Sequence, residues 1–296
     1  MVELIMTIVI MGILAGGAYI SLAKLFAKSA QTKAISQLSE QSILVTNQIA
    51  ALLRDRVPST VIGYDPAAND FESIYSLTKT YPVLEWISTD FEGLRSGMYS
   101  GFADLDRCDR ANNRIVSPAT DVNATGRALI FAGAFDQGDI TYDKTDFNAS
   151  FGWHGNQHAK VFELDTTSSG SDLYLKNRPD TIYEKYTLVR SAYAIARYGD
   201  VKTDAACMQR LGLEGTVGEK SLLLFYDYRP WLGETFCADP NGNGQSGSVT
   251  LLDNETSGFS ADFANDSLTF SLTLERTIRR PGTDLNVTIS KQKAVY

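Results

Sequence analysis

The sequence predicts an α+β fold: one long N-terminal helix, its first half apolar enough to span a membrane, packed on a C-terminal antiparallel β-sheet. Three observations lead there. Residues 4–23 contain no charged side chain. Beyond them Ile35, Leu38, Ser42, Val45, Ile49 and Leu52 recur at alternating spacings of three and four, the period of one helix face. Near the C-terminus Leu268, Phe270, Leu272 and Leu274 alternate with Ser and Thr, the period of a strand with one buried face.

The first element reads LIMTIVIMGILAGGAYISLA over residues 4–23. At about 1.5 Å per residue this run matches a hydrocarbon core about 30 Å thick. Leu4, Ile8, Ile13 and Leu14 are the candidate membrane-helix residues. A cleavable signal peptide calls for a basic residue ahead of a shorter apolar run; here an acid, Glu3, precedes it. A buried core helix rarely continues so far without charge.

No proline occurs before Pro58, and the only glycines before it are Gly12, Gly16 and Gly17. The helix is therefore expected to continue to Arg56, about 80 Å in all. Its stripe from Ile35 to Leu52 needs a partner surface, with Gln37, Glu40, Gln41, Asn47 and Gln48 mostly off it. The chain then divides into a membrane half of the helix over residues 1–27, an amphipathic extension over 28–56 and an α+β head over 57–296.

Within the head, residues 59–113 carry scattered aromatics and no clean periodicity. After them come strand-like runs at residues 128–135, 160–165, 186–198, 220–231, 248–252, 267–275 and 285–291, separated by Gly, Asn, Asp and Ser clusters. The apolar face of 267–275 is the expected cover for the helix stripe.

The segment VELIMTIVIMGILAG, residues 2–16, resembles the N-terminus of type IV pilins and type II secretion pseudopilins. Residues 251–275 followed by ISKQKAVY resemble the last strands of J-type minor pseudopilins and W-type minor pilins. The resemblance implies a pilin-like fold and places the family's methylated Phe two residues before Met1, so that its hallmark glutamate falls on Glu3. It further implies that Glu3 pairs with the terminal ammonium of a neighbouring subunit inside the membrane, where an unpartnered carboxylate costs roughly 2.5–3.5 kcal/mol at a helix centre. The basic leader and the Gly-Phe junction of the family do not occur here, nor does its late proline, whose neighbourhood holds Ile20 and Ser21; a straighter helix is expected. Lys24, Lys28 and Lys33 follow the span and favour keeping that end cytoplasmic, so an upstream basic leader would have to override them.

What the resemblance implies in function is a minor pseudopilin: a single-pass inner-membrane protein with a periplasmic head, joining other pilin-type subunits through its N-terminal helix in the tip complex of a type II secretion pseudopilus. A minor pilin that primes a surface type IV pilus is the alternative within the family. A membrane-tethered periplasmic enzyme or binding protein is the alternative from another class. No enzymatic activity is expected, since no GxSxG elbow or comparable signature occurs.

Nucleic acid is not an expected partner, because 27 Lys and Arg against 35 Asp and Glu leave a formal charge of −8 and no basic block to neutralise phosphates. A local cluster of Arg276, Arg279 and Arg280 is the one candidate exception, for a DNA-capturing pilin. In an oxidising periplasm the three cysteines predict one disulfide and one leftover thiol. Cys207 and Cys237 flank the strongest strand and are the expected pair, with a bridge through Cys108 as the alternative. His154 and His158, in WHGNQH, have a spacing that suits metal on a helix, but the surrounding glycines predict a turn with two solvated imidazoles. DPNGNG begins like a calcium loop, with Asp239, Asn241 and Asn243 as candidate oxygen ligands, yet its twelfth position is Thr250 rather than a glutamate. A plain turn is the expected reading, and calcium the only cofactor considered. Sequons stand at Asn123, Asn148, Asn254, Asn265 and Asn286, three of them preceded two residues earlier by Asp121, Asp146 and Asp284; they are expected to be bare.

Overall fold

The computed structural model describes residues 2–118, 121–132, 144–202, 205–237, 247–264, 267–279 and 284–295. Helix α1 (Val2–Arg54) runs without interruption. It stops two residues short of the expected Arg56 because the chain starts pairing before the proline: the Asp55 carbonyl accepts the Thr89 N–H at 2.8 Å and Arg56 forms a β-bridge with Ser88. The Arg56 guanidinium donates to the Leu53 carbonyl at 2.7 Å, satisfying one of the orphan acceptors of the last turn.

Thirteen strands follow among the described residues: β1 (Ile62–Asp65), β2 (Asp70–Ser73), β3 (Val83–Thr89), β4 (Arg114–Val116), β5 (Ala128–Phe131), β6 (Phe162–Glu163), β7 (Asp172–Tyr174), β8 (Tyr186–Arg197), β9 (Leu222–Tyr228), β10 (Ser248–Asp253), β11 (Thr256–Ala264), β12 (Ser267–Ile278) and β13 (Leu285–Val295). Short helices α2 (Phe91–Arg95), α3 (Lys144–Asn148), α4 (Tyr198–Val201) and α5 (Ala205–Arg210) lie between them. An antiparallel sheet is ordered β10-β9-β8-β3-β1-β2, with β5 added to β8 and β6 to β5. β11, β12 and β13 form a separate antiparallel meander, and β4 pairs with β7.

The second half of α1 packs on β12 and β13. Leu268, Phe270, Leu272 and Leu274 share one apolar cluster with Leu38, Val45 and Ile49, as their alternation implied, and Trp86, Ile195 and Leu224 from the large sheet complete it. The stripe itself is corrected at both ends. Leu38, Ser42, Val45 and Ile49 are buried, but Ile35 is exposed and Leu52 half-buried, while Ala34 and Leu53 go inside. Strict alternation of three and four averages below the 3.6-residue turn and drifts off the face, whereas steps of four at each end follow it. The polar residues beside the stripe fasten its flanks. Gln37 accepts from Arg276 at 2.7 Å, Asn47 accepts from Lys293 at 2.7 Å, and Gln41 donates to Asp253.

The opposite face of the large sheet carries a second core, with Val83 and Ile87 of β3, Ala194 of β8 and Phe225 of β9 under Phe147, Trp153, Cys207 and Met208. A third core joins Tyr99 and Ile115 to Leu129, Phe162, Leu173 and Leu188 at the β4–β7 end. The sequence does not announce β1 to β3, in the segment without periodicity, nor β4, β7 and β11. The run expected at 160–165 is a strand only over Phe162–Glu163.

Candidate functional site

The feature that sets this molecule apart is the first half of α1. Every residue from Val2 to Phe26 is exposed, Leu4, Ile8, Ile13 and Leu14 among them, and the first buried position is Ala34. This stretch of helix is long and apolar enough to cross a membrane by length and composition. Apolar surface of such extent marks contact with a membrane or with other proteins. Its Ser and Thr hydroxyls are satisfied within the helix: Thr7 donates to the Glu3 carbonyl at 2.7 Å and Ser21 to the Gly17 carbonyl at 2.9 Å. Hydroxyls bonded in this way need no water, the condition a hydrocarbon environment imposes.

Glu3 sits in the first turn, where a carboxylate complements the positive end of the helix dipole. No described residue bonds to its side chain. Lys24, Lys28 and Lys33 begin the polar continuation of the same helix.

Cys207 and Cys237 form a disulfide across 30 residues, tying α5 to the segment after the Pro230–Leu232 turn. Arg210 reinforces it, donating to the Cys237 carbonyl at 2.8 Å. Cys108 is the free thiol. Its sulfur accepts the Val116 N–H at 3.2 Å, and burial pushes its pKa up, which keeps it a protonated and poor nucleophile.

The histidines depart from expectation. His154 is not solvated: its Nε2 lies 2.9 Å from Glu85 Oε1, and its ring stacks on Tyr64 at 3.6 Å. The glycines around it do make a turn, but Gly152, at φ +82°, brings that turn against the Pro230–Leu232 backbone and pushes the imidazole inward. His158 Nδ1 is 3.2 Å from the Val161 carbonyl, and no group of three metal-ligating residues occurs among the described residues. Glu85 went unnoticed in sequence, though a glutamate inside VLEWI is a legible anomaly: it lies on β3 with its neighbours Val83 and Ile87 facing the same core.

The calcium candidates Asp239, Asn241 and Asn243 lie outside the described residues, as do Arg280 and Asn265. Of the arginine cluster, Arg276 is committed to Glu255, which it grips with two bonds of 2.5 and 2.6 Å. Asn123 lies in an exposed loop, whereas Asn148 ends α3 and Asn286 sits within β13. Comparison with protein-family models, with curated proteins and with solved structures finds no match to this chain.

Proposed function

We propose that the chain is a minor pilin-like subunit, a pseudopilin, that assembles through its N-terminal helix into the initiation complex of a type II secretion pseudopilus. The observation that carries this reading is the division of one helix. One face of its second half is buried on the head, while its first half projects as an exposed apolar rod with a single acid near its tip. A rod of that kind has two uses in a bilayer, anchoring and packing against like helices, and the resemblance of residues 2–16 to pilin N-termini favours both together. The head then lies in the periplasm, a compartment in which the Cys207–Cys237 bridge is at home. Glu3 pairs with a neighbouring subunit, and no catalysis is involved.

The test is a Glu3→Ala substitution in the native host, read by co-purification with pilin-type subunits from the membrane. The expected result is a protein that stays in the membrane at normal level but no longer recovers its partners; undiminished recovery refutes the role of Glu3. A deletion strain examined by electron microscopy separates the two filaments. Pili that persist while secreted proteins vanish from the medium support the pseudopilin, and pili that disappear move the reading to a minor pilin of a surface filament.

A further inference from the structure

We propose that the irregular ends of β8 and β9 form a binding site for a small zwitterion of the α-amino-acid class. The site is an open cleft of about 250 Å³ lined by Thr125, Gly126, Arg190, Ser191, Asp227 and Arg229.

Two bulges on neighbouring strands build it. Against β3, Ser191 faces Ser88 but Val189 faces Thr89, so Arg190 is an extra residue on β8. Against β8, Tyr228 faces Ala192 but Phe225 faces Ala194, so Tyr226 and Asp227 together oppose Tyr193. Asp227 takes φ +63°, a conformation L-residues other than glycine rarely adopt. Each bulge reverses the in-out alternation. Ala196, Ala194 and Ala192 face the core in turn, and regular pairing would send Arg190 after them; instead Val189 is buried and Arg190 exposed. In the same way Tyr228 follows Phe225 inward and Asp227 is turned out. Re-aiming a side chain in this manner is a recurrent use of bulges beside binding sites, and left-handed strain at a non-glycine residue concentrates at such places.

The charges are arranged unequally. Arg229 is held by the buried Glu234, with Nη2 to Oε1 at 2.7 Å and Nε to Oε2 at 3.1 Å, and Glu234 also accepts the Arg229 N–H at 2.8 Å. That wall is rigid and neutralised. Arg190 and Asp227 make no hydrogen bond or ion pair with any described residue, although both line the same cleft. The cleft therefore offers one uncompensated cation and one uncompensated anion, with Thr125 and Ser191 also in its lining. A phosphate would be repelled by Asp227 and a simple cation by Arg190. A carboxylate and an ammonium on one small molecule satisfy both. The volume falls below the range of about 300–1,000 Å³ typical of larger ligands, which limits the side chain such a ligand can carry. Because both charges are solvent-exposed, the affinity expected is modest, on the order of millimolar to micromolar.

The assignment is independent of the assembly reading and is tested on the full chain in detergent micelles. L-Alanine, L-glutamate and L-lysine serve as probes in saturation-transfer NMR, with acetate and ethylammonium as half-molecule controls. At least one amino acid is expected to bind where neither half-molecule does. Asp227→Asn, which keeps a residue tolerant of the left-handed conformation, and Arg190→Gln are each expected to weaken binding by about tenfold or more, with unchanged circular dichroism. Failure of all three amino acids to bind overturns the proposal. So does binding that survives both substitutions, or acetate binding that Asp227→Asn leaves intact, which marks a carboxylate site only. Should Asp227→Asn fail to fold, Arg190→Gln, at an exposed position, decides alone.

Discussion

The Tyr228 hydroxyl donates to Glu85 Oε2 at 2.7 Å in a region where neither side chain keeps any exposed surface. The other carboxylate oxygen lies 2.9 Å from His154 Nε2. A buried carboxylate survives only when its oxygens are occupied, so the turn bearing His154 and the end of β9 are both tied to the centre of β3.

Removing one of those partners leaves an acceptor stranded in the core. Tyr228→Phe is expected to cost about 1–3 kcal/mol, measured as a lower urea midpoint with an unchanged slope. A midpoint equal to that of the parent would mean that the hydrogen bond contributes nothing net.

The same pair makes stability fall in alkali. Burial, and then the charge and hydrogen bond of Glu85, raise the Tyr228 pKa well above its ordinary value of 10.0; burial also raises Tyr193. An acid whose folded value is raised holds its proton more tightly in the native state. Its stabilisation is therefore complete below the unfolded tyrosine value and is lost as pH rises past about 10 toward the folded value. Urea midpoints are expected to decline steeply above about pH 10, and less steeply in Tyr228→Phe. Identical alkaline limbs for the two proteins would exclude Tyr228 as a source.

Gly152 permits the contact that seats His154. At φ +82° a side chain is strained, and a Cβ there would lie 2.5 Å from the Pro230 carbonyl oxygen. Gly152→Ala should cost more than about 1 kcal/mol, visible as a lower thermal midpoint and a changed near-ultraviolet signal from Trp153 and Trp231. The same substitution at Gly155, where a Cβ meets nothing within 4 Å, should cost less despite a similar φ.

The two halves of α1 should respond oppositely to truncation. Ile49 has no exposed surface, and Ile49→Ala is expected to cost the head about 2–5 kcal/mol. Leu14 is 66% exposed, and Leu14→Ala should leave head stability unchanged. Protease-resistance midpoints in detergent would distinguish them; equal losses would mean that the exposed half packs on the head after all.

Breaking the Cys207–Cys237 bridge frees a loop spanning 30 residues. By chain entropy the loss is about 3–4 kcal/mol, to be read as the shift in urea midpoint on replacing both cysteines by alanine. Cys108→Ala serves as the control, since its half-buried thiol crosslinks nothing.

Periodicity made α1, β8, β9, β10, β12 and β13 legible, because a long helix stripe and an alternating strand announce themselves within a few residues. β1 and β2 did not, since four-residue strands give too little alternation to count. β3 hid for another reason: its VLEWI stretch is buried on both faces and has no solvent-facing side to alternate with. The bulge at Asp227 was legible in retrospect, as a charged residue inside the apolar run LLLFYDY, but what shares its cleft was not.

Amino-acid order alone sufficed to set an exposed apolar helix ahead of an amphipathic one and the apolar face of β12 meant for it. These are local properties, readable from spacing because side-chain direction repeats every 3.6 or 2 residues. Tertiary structure alone decided that His154 turns inward to Glu85, that α1 ends where Arg56 meets Ser88, and that Arg190 and Asp227 face the same cleft. Each joins residues more than 30 positions apart, and such pairings depend on sheet order and register, which no local period encodes.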